Sequence, residues 1–174
     1  VSAYNDNGKR GIVSNATRAV RSDFFPGLGW MMPRRIWNEI GPKWPDAYWD
    51  DWLREPEQRR GRQIIRPEVS RTYHFGSEKG ASRNQFGKEL AEIELHQEHV
   101  AWEIKDGPYD YLAWDRFRQD YYSSVLKAQL SPWQDAMNTV KEGNVRVEYN
   151  TWDEFKKKVP KLLKLISTDE KAGV

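Results

Sequence analysis

The sequence predicts an α/β fold in which short strands pack with helices. Val145, Val147 and Tyr149 alternate with polar residues, which is the period of a strand with one buried face. Trp49 and Trp52 recur instead at the spacing of one helical turn. The chain has 174 residues, enough to bury one core of ordinary size, so we expect a single domain or a large part of one.

The N-terminal part of the chain is predicted to hold one edge strand and one helix. Residues 1–22 are polar, and Val1 and Ala3 indicate an edge strand that is followed by a surface loop. The apolar residues between Pro33 and Ile40 fall at helical spacing, and the Gly-Pro pair after them ends this helix.

Leu28 lies between two glycines in the segment from Phe24 to Trp30. Because glycine has no side chain, the backbone there can adopt conformations and close contacts that other residues forbid. We therefore expect another segment of the chain to pass close to this loop.

A second helix is predicted from Ala47 to Arg54, and it must end near Pro56. Residues 64–65 and 72–75 are predicted as short strands around a proline turn. The small polar residues from 76 to 84 are typical of a loop that becomes ordered when a ligand binds. The next segment, 85–95, fits neither a helix nor a strand period.

The last third of the chain is predicted to contain strands and two helices. Residues 100–104 alternate as a strand, and Pro108 opens a long helix with an aromatic face. Thr151 and Glu154 have the spacing of a capping box, which starts the final helix. Pro160 is expected to kink or divide that helix. The lysines of the helix are expected to form its solvated face.

Composition excludes several classes of function. Lysine and arginine number 28 against 26 acids and the two signs are interspersed, so the chain has no basic stripe for nucleic acid. Without cysteine it has no internal disulfide, thiolate metal site or thiol nucleophile. No apolar run approaches the roughly 18 to 20 residues of a membrane helix, and no signal-peptide pattern occurs. Asn15-Ala16-Thr17 matches the N-glycosylation pattern, which matters only in a luminal chain.

The nine tryptophans and eight tyrosines suit a packed core, and flat aromatic rings also suit stacking on sugars.

The stretch from Tyr48 to Arg62 places two adjacent acids, Asp50 and Asp51, between two tryptophans. A carboxylate that tryptophan rings shield from water binds a proton more readily, as a general base must. Alternatively, both are first-turn acids that pair with arginines, and the local sequence by itself favours this second interpretation.

The same region contains six arginines that could clamp a phosphate-bearing ligand. They are Arg54, Arg59, Arg60, Arg62, Arg66 and Arg71. Nearby acids such as Glu57 and Glu68 could neutralise them, so we expect structural ion pairs for most and a ligand role for one or two. His96 and His99 would need a third ligand to bind a metal, and the sequence offers none.

Several segments resemble, in order, the second half of the eukaryotic β-1,2-N-acetylglucosaminyltransferase I family. The matching segments are VSAYNDNG, DFFPGLGW, PKWP, WDDW, PEQR, GR and RPEVSRT. The resemblance is dense over residues 1–76, thin over 83–140, and returns at VRVEY and in the final helix.

This resemblance implies the second, acceptor-side half of a GT-A glycosyltransferase domain. The family is an inverting transferase that moves N-acetylglucosamine from UDP-N-acetylglucosamine, with manganese, to the 2-hydroxyl of an α-linked mannose of N-glycans. Asp50 falls at the family's catalytic base. Leu28 and Trp49 fall where the family contacts the donor sugar, and Ser82 falls in the segment that orders over the diphosphate.

The resemblance also implies what this chain does not contain. The family's acidic metal motif lies upstream of the matching region, and Asp106 and Asp110 are poor substitutes for it. The family has a disulfide whose second cysteine is replaced here, at Gln63 or Ile64. We therefore expect residues 1–174 to form a single partial domain that is inactive alone. An upstream segment or a separate polypeptide would supply the nucleotide- and metal-binding half.

Two alternatives remain at this point. A related transferase acts on protein-linked O-mannose and shares the PGLGW and PEQRRGR segments, although Phe24-Phe25 and the doubled acid favour the N-glycan branch. The other alternative is a non-catalytic descendant that serves as a structural or sugar-binding subunit. By resemblance, the full-length protein is expected in the Golgi lumen, anchored to the membrane.

Overall fold

A computed structural model describes residues 1–75, 87–100, 109–136 and 144–163. Contacts between residues divide the chain into two compact units, an N-terminal unit within residues 1–103 and a C-terminal unit within residues 104–167. The described residues mix helices with short strands, which confirms the predicted α/β class. The single partial domain expected over residues 1–174 stays a prediction.

The N-terminal unit combines a two-stranded sheet with short helices. Its elements are β1 (Ala19–Ser22), α1 (Arg34–Ile40), a 3-10 turn (Gly41–Lys43), α2 (Trp49–Arg54), α3 (Pro56–Arg59), β2 (Ile64–Pro67) and α4 (Gly87–Ala91). Strands β1 and β2 are antiparallel, with Ala19 opposite Pro67 and Ser22 opposite Ile64. The helices predicted near 33–40 and 47–54 are confirmed, and Glu55, in extended conformation, separates α2 from α3.

The C-terminal unit has a parallel strand pair and two longer helices. Its elements are a 3-10 turn (Asp110–Leu112), α5 (Trp114–Lys127), β3 (Gln129–Pro132), β4 (Val145–Glu148) and α6 (Trp152–Leu163). Thr151 caps α6, since its hydroxyl accepts the Glu154 N–H at 3.1 Å. The Glu154 carboxylate in turn accepts the Asn150 N–H at 3.0 Å. The predicted capping box is thus confirmed, with its second bond one residue earlier than usual.

A buried serine fastens three segments of the N-terminal unit to one another. The Ser70 hydroxyl accepts the Asn5 N–H at 3.0 Å, and the Ser70 carbonyl accepts the His96 N–H at 2.9 Å. Ser70 is completely buried, and the side chains of Tyr4 and Ile93 are fully buried as well. Segments that are distant in the sequence are therefore held by bonds from which water is excluded.

Several sequence predictions for these elements are wrong. Residues 72–75 form no strand. The two residues before them are already bonded to separate segments: the Ser70 carbonyl accepts the His96 N–H, and the Arg71 N–H donates to the Ala3 carbonyl. The expected edge strand at the N-terminus is reduced to one bridge between Ser2 and Trp30. Strands β1 and β3 were not anticipated, since neither segment alternates clearly between apolar and polar residues.

Other predictions concern the ends and faces of the C-terminal elements. Helix α6 is not divided at Pro160, because a proline removes one backbone donor and the turns around it can continue. Trp114 and Tyr121 on α5 are 50% and 52% exposed, so the predicted aromatic face is only half covered. The strand predicted at 100–104 and the polar loop at 76–84 lie almost entirely outside the described residues.

Among the described residues, no helix has both the length and the apolar character needed to cross a bilayer.

The glycine-flanked loop has the close contact that the sequence predicts. Gly29 has a φ of +50°, and a Cβ at this position would lie 2.7 Å from Thr72 Cγ2 and 3.2 Å from Ala3 Cβ. Residues other than glycine rarely adopt this backbone conformation, and the neighbouring atoms leave no room for a methyl group. The loop therefore rests directly on two segments that are distant in the sequence.

We expect Gly29→Ala to lower the free energy of unfolding by about 2 kcal/mol or more, because the backbone strain at positive φ and the overlap of the added Cβ with Thr72 add together. Gly11→Ala is the matched control, since Gly11 has a φ of +75° but no atom within 4 Å of the added Cβ. Chemical denaturation of both variants measures the difference. Equal losses would mean that the contact with Thr72 contributes nothing.

Candidate functional site

Five tryptophans form a cluster in which Trp44 is central. The ring centroid of Trp44 lies 5.3 Å from that of Trp37, 5.7 Å from Trp52, 5.9 Å from Trp49 and 6.3 Å from Trp30. Tilted, edge and offset stacked contacts of this kind stabilise a structure beyond simple burial of area. Packing, the role expected for most tryptophans, is confirmed here, and the cluster fixes α2 against the loop that carries Trp30.

The candidate base Asp50 lies in the first turn of α2, directly after Trp49 of this cluster. Its side chain is 40% exposed, compared with 59% for Asp51. The shielding expected from the flanking tryptophans is therefore partial, and the Asp50 carboxylate remains open to an approaching ligand.

Arg54 joins helix α2 to the glycine-flanked loop. Its Nε donates to the Phe25 carbonyl at 3.0 Å, and its guanidinium lies 4.5 Å from the centroid of the Phe24 ring. Its Nη1 lies 2.7 Å from Asp51 Oδ1 and 3.4 Å from Asp50 Oδ2. The Arg54 side chain is only 18% exposed, so these contacts are well shielded from solvent.

Gly27 of the loop lies near Asp50. A Cβ on Gly27 would lie 3.7 Å from Asp50 Cβ and 4.0 Å from Asp50 Oδ2. Leu28 follows this glycine, and its carbonyl accepts the Ser2 hydroxyl at 2.8 Å. The structure therefore brings the segment of Leu28 together with Trp49 and Asp50, while Ser82 lies outside the described residues.

The structure shows the pairing of the two acids with an arginine, whereas the role of general base stays a prediction. The predicted pairing with arginine is confirmed most clearly for Asp51, whose bond to Arg54 is the shorter. Asp50 is held more loosely by the same guanidinium. Of the two carboxylates, Asp50 is therefore the less constrained by Arg54.

Sequence reasoning missed a largely buried acid near this site. Asp6 lies in a turn, and burial raises its pKa to about 6, although the charges of Arg66 and Arg54 act in the opposite direction. Burial also lowers the pKa of Arg66, which the charge of Asp6 partly offsets. The sequence carried no signal for this, because an acid between two asparagines is typical of an exposed turn.

Most of the six arginines take part in structural contacts, as expected. Arg60 and Arg62 both pair with Glu39, and the hydrogen bond from Arg62 holds the pKa of that carboxyl below its usual range. Arg59 donates to the Asp23 carbonyl at 3.3 Å. Within the described residues, the Arg66 Nη1 atom is buried without a hydrogen-bond partner.

A cavity of about 140 Å³ lies beside the tryptophan cluster. Its wall is mainly apolar and includes Phe25, Trp30, Ile36 and Leu53. Asp50 is not among the residues that line it, so this cavity is separate from the carboxylate at which a base would act.

The described ranges contain no group of three or more histidine, cysteine or acidic side chains that could hold a metal ion. The residues of this part of the chain therefore do not fit the manganese site that the resemblance implies.

The chain belongs to the GNT-I family, whose model matches residues 1–174. It is also similar to alpha-1,3-mannosyl-glycoprotein 2-beta-N-acetylglucosaminyltransferase of Arabidopsis thaliana, with 45% identity over 161 residues. That match covers 90% of this chain and 35% of the relative, so the chain spans about a third of the relative's length. The family resemblance seen in the sequence is thus confirmed, and neither alternative gains support.

The buried position of Asp6 predicts a specific pH dependence of stability. The folded-state pKa of Asp6, about 6, exceeds its usual value of 3.8, so the folded state binds the proton more tightly than the unfolded state does. Stability from this group is complete below the unfolded pKa and is lost as pH rises through the folded pKa. One pKa unit corresponds to about 1.4 kcal/mol, which predicts a loss of about 2 to 3 kcal/mol between about pH 4 and pH 7.

Asp6→Asn should remove this loss, because asparagine does not titrate. The measurement is the free energy of unfolding of both proteins across this pH range. If their difference stays constant with pH, Asp6 is not the group responsible.

Arg54→Gln should lower the free energy of unfolding by about 1 to 3 kcal/mol, because the Phe25 carbonyl loses its donor and the two first-turn acids lose their shared partner. The control is Arg10→Gln, which removes a 69% exposed arginine that lies 3.4 Å from Glu94 in the same unit. An exposed pair of this kind contributes about 0 to 1 kcal/mol. Similar losses in the two variants, measured by chemical denaturation, would contradict the role given to Arg54.

Proposed function

We propose that this chain supplies the acceptor-side half of an inverting β-1,2-N-acetylglucosaminyltransferase with a GT-A fold. The donor would be UDP-N-acetylglucosamine, and the acceptor would be the 2-hydroxyl of an α-linked mannose on an N-glycan. The observation that carries the proposal is the position of Asp50. It belongs to the WDDW segment, in a chain that is 45% identical to a relative named as such a transferase.

In this proposal, Asp50 takes the proton of the mannose hydroxyl as the hydroxyl oxygen forms a bond to the anomeric carbon of the donor. The bond from that carbon to the diphosphate breaks on the opposite face, and UDP leaves with the bonding electrons. A single displacement of this kind inverts the anomeric configuration. Asp50 suits the role because its carboxylate is partly exposed, whereas Asp51 is held closely by Arg54.

The loop and helix around Asp50 would position the donor sugar. Trp49 directly precedes the proposed base in helix α2, and Leu28 follows Gly27, which lies near Asp50. Arg54 holds this loop and helix in one arrangement, so the sugar and the base would meet in fixed geometry. Ser82 remains the proposed contact to the diphosphate.

The nucleotide and manganese would bind to residues beyond those described here, on an upstream segment or a separate polypeptide. In such transferases a divalent cation neutralises charge on the leaving diphosphate. Because the described residues do not fit a metal site, no step is assigned to them through manganese. The proposed location is the Golgi lumen.

Asp50→Asn should reduce transfer by about 10² to 10⁴, the usual contribution of a positioned base. We expect binding of UDP-N-acetylglucosamine to change little, since the base acts on the acceptor. Transfer is measured in a chimera in which residues 1–174 replace the matching residues of the Arabidopsis relative. Titration calorimetry measures donor binding.

Asp51→Asn is the matched control, because it removes the neighbouring carboxylate and the shorter bond to Arg54. We expect it to lower transfer less than tenfold, the effect of about 1.4 kcal/mol in the barrier. Near-normal transfer by Asp50→Asn, or an equal loss in both variants, would remove Asp50 from the role of base.

A further inference from the structure

The loop that follows the first turn of the chain carries an exposed acceptor sequence, Asn15-Ala16-Thr17. Both Asn15 and Thr17 are exposed. The backbone N–H groups of Ser14 and Asn15 donate to Glu68 Oε1 at 2.9 and 3.0 Å. The loop is therefore ordered by its backbone, and the Asn15 side chain is left at the surface.

The two polar groups of Thr17 converge on the amide oxygen of Asn15. The Thr17 hydroxyl donates to Asn15 Oδ1 at 2.9 Å, and the Thr17 N–H donates to the same atom at 3.0 Å. These two bonds engage the amide oxygen of Asn15, and the residue itself is exposed. Hydrogen bonds to the oxygen also stabilise negative charge that develops when the amide loses a proton.

The contacts that hold this loop differ from those that hold the candidate site. Asn15 is bonded to Glu68 and Thr17, whereas Asp50 and helix α2 are held by Arg54 and the tryptophan cluster. A bulky hydrophilic group on Asn15 would therefore extend into water without breaking a contact of the site.

We propose that Asn15 is a modification site that receives an N-linked oligosaccharide. The proposal rests on the luminal location given under the proposed function, and the sugar donor is a lipid-pyrophosphate-linked oligosaccharide. The Asn15 Nδ2 atom loses a proton to the base of the transferring enzyme and forms a bond to the anomeric carbon of the donor's first sugar. The bond from that carbon to the pyrophosphate breaks, and the lipid pyrophosphate leaves with the electron pair.

The test is expression of the complete coding sequence that contains this chain in a eukaryotic cell. Peptide-N-glycosidase should produce one discrete increase in gel mobility and convert Asn15 to aspartate, as read by peptide mass spectrometry. Asn15→Gln and Thr17→Ala should each abolish the shift, whereas Thr17→Ser should retain it because serine keeps the hydroxyl. Unmodified Asn15 in the recovered protein would overturn the proposal.

A control variant tests the luminal location of the chain independently of the ability of this loop to accept an oligosaccharide. Arg10→Asn with Ile12→Thr, added to Asn15→Gln, places the same pattern on neighbouring residues, and Arg10 and Ile12 are both exposed. If this variant is modified and Asn15 is not, the site is wrong and the luminal location stands. If neither is modified, both are wrong. Transfer by the chimera carrying Asn15→Gln should be unchanged, so the outcome is independent of the catalytic role of Asp50.

Discussion

The candidate site depends on one guanidinium group. Arg54 donates to the Phe25 carbonyl of the glycine-flanked loop and pairs with the two acids in the first turn of its own helix. A planar group with several donors can make these bonds at once, which a lysine ammonium cannot reproduce in the same geometry. Because the Arg54 side chain is only 18% exposed, its bond to the Phe25 carbonyl is largely shielded from water. The loop and the helix therefore behave as one structural unit around Asp50.

The tryptophan cluster supports this arrangement from another side. Trp44 contacts rings from α1, from α2 and from the segment after the loop, so aromatic packing restrains the same elements that Arg54 joins. Asp6 adds a largely buried charge whose electrostatic partners are Arg66 and Arg54. Arg54 thus interacts with a third carboxylate besides Asp50 and Asp51, and the electrostatics of the site involve residues that are distant in the sequence.

Under the proposed function these contacts would matter for catalysis, because a transferase needs its base and its donor contacts in fixed relation. The described residues provide a partly exposed carboxylate, a neighbouring tryptophan and a closely packed loop. They do not provide a group of metal ligands.

The sequence by itself determined the α/β class, the helices at 33–40 and 47–54, the capping of the last helix and the family. These features depend on local periodicity, on caps and on short motifs, which neighbouring residues specify. Only the tertiary structure decided that β1 pairs with β2, that residues 72–75 form no strand, that Asp6 is buried and that Arg54 favours Asp51 over Asp50. Each of these depends on contacts between segments that are distant in the sequence or on side-chain geometry. Neither composition nor spacing specifies such contacts, because many partners would satisfy the same local pattern.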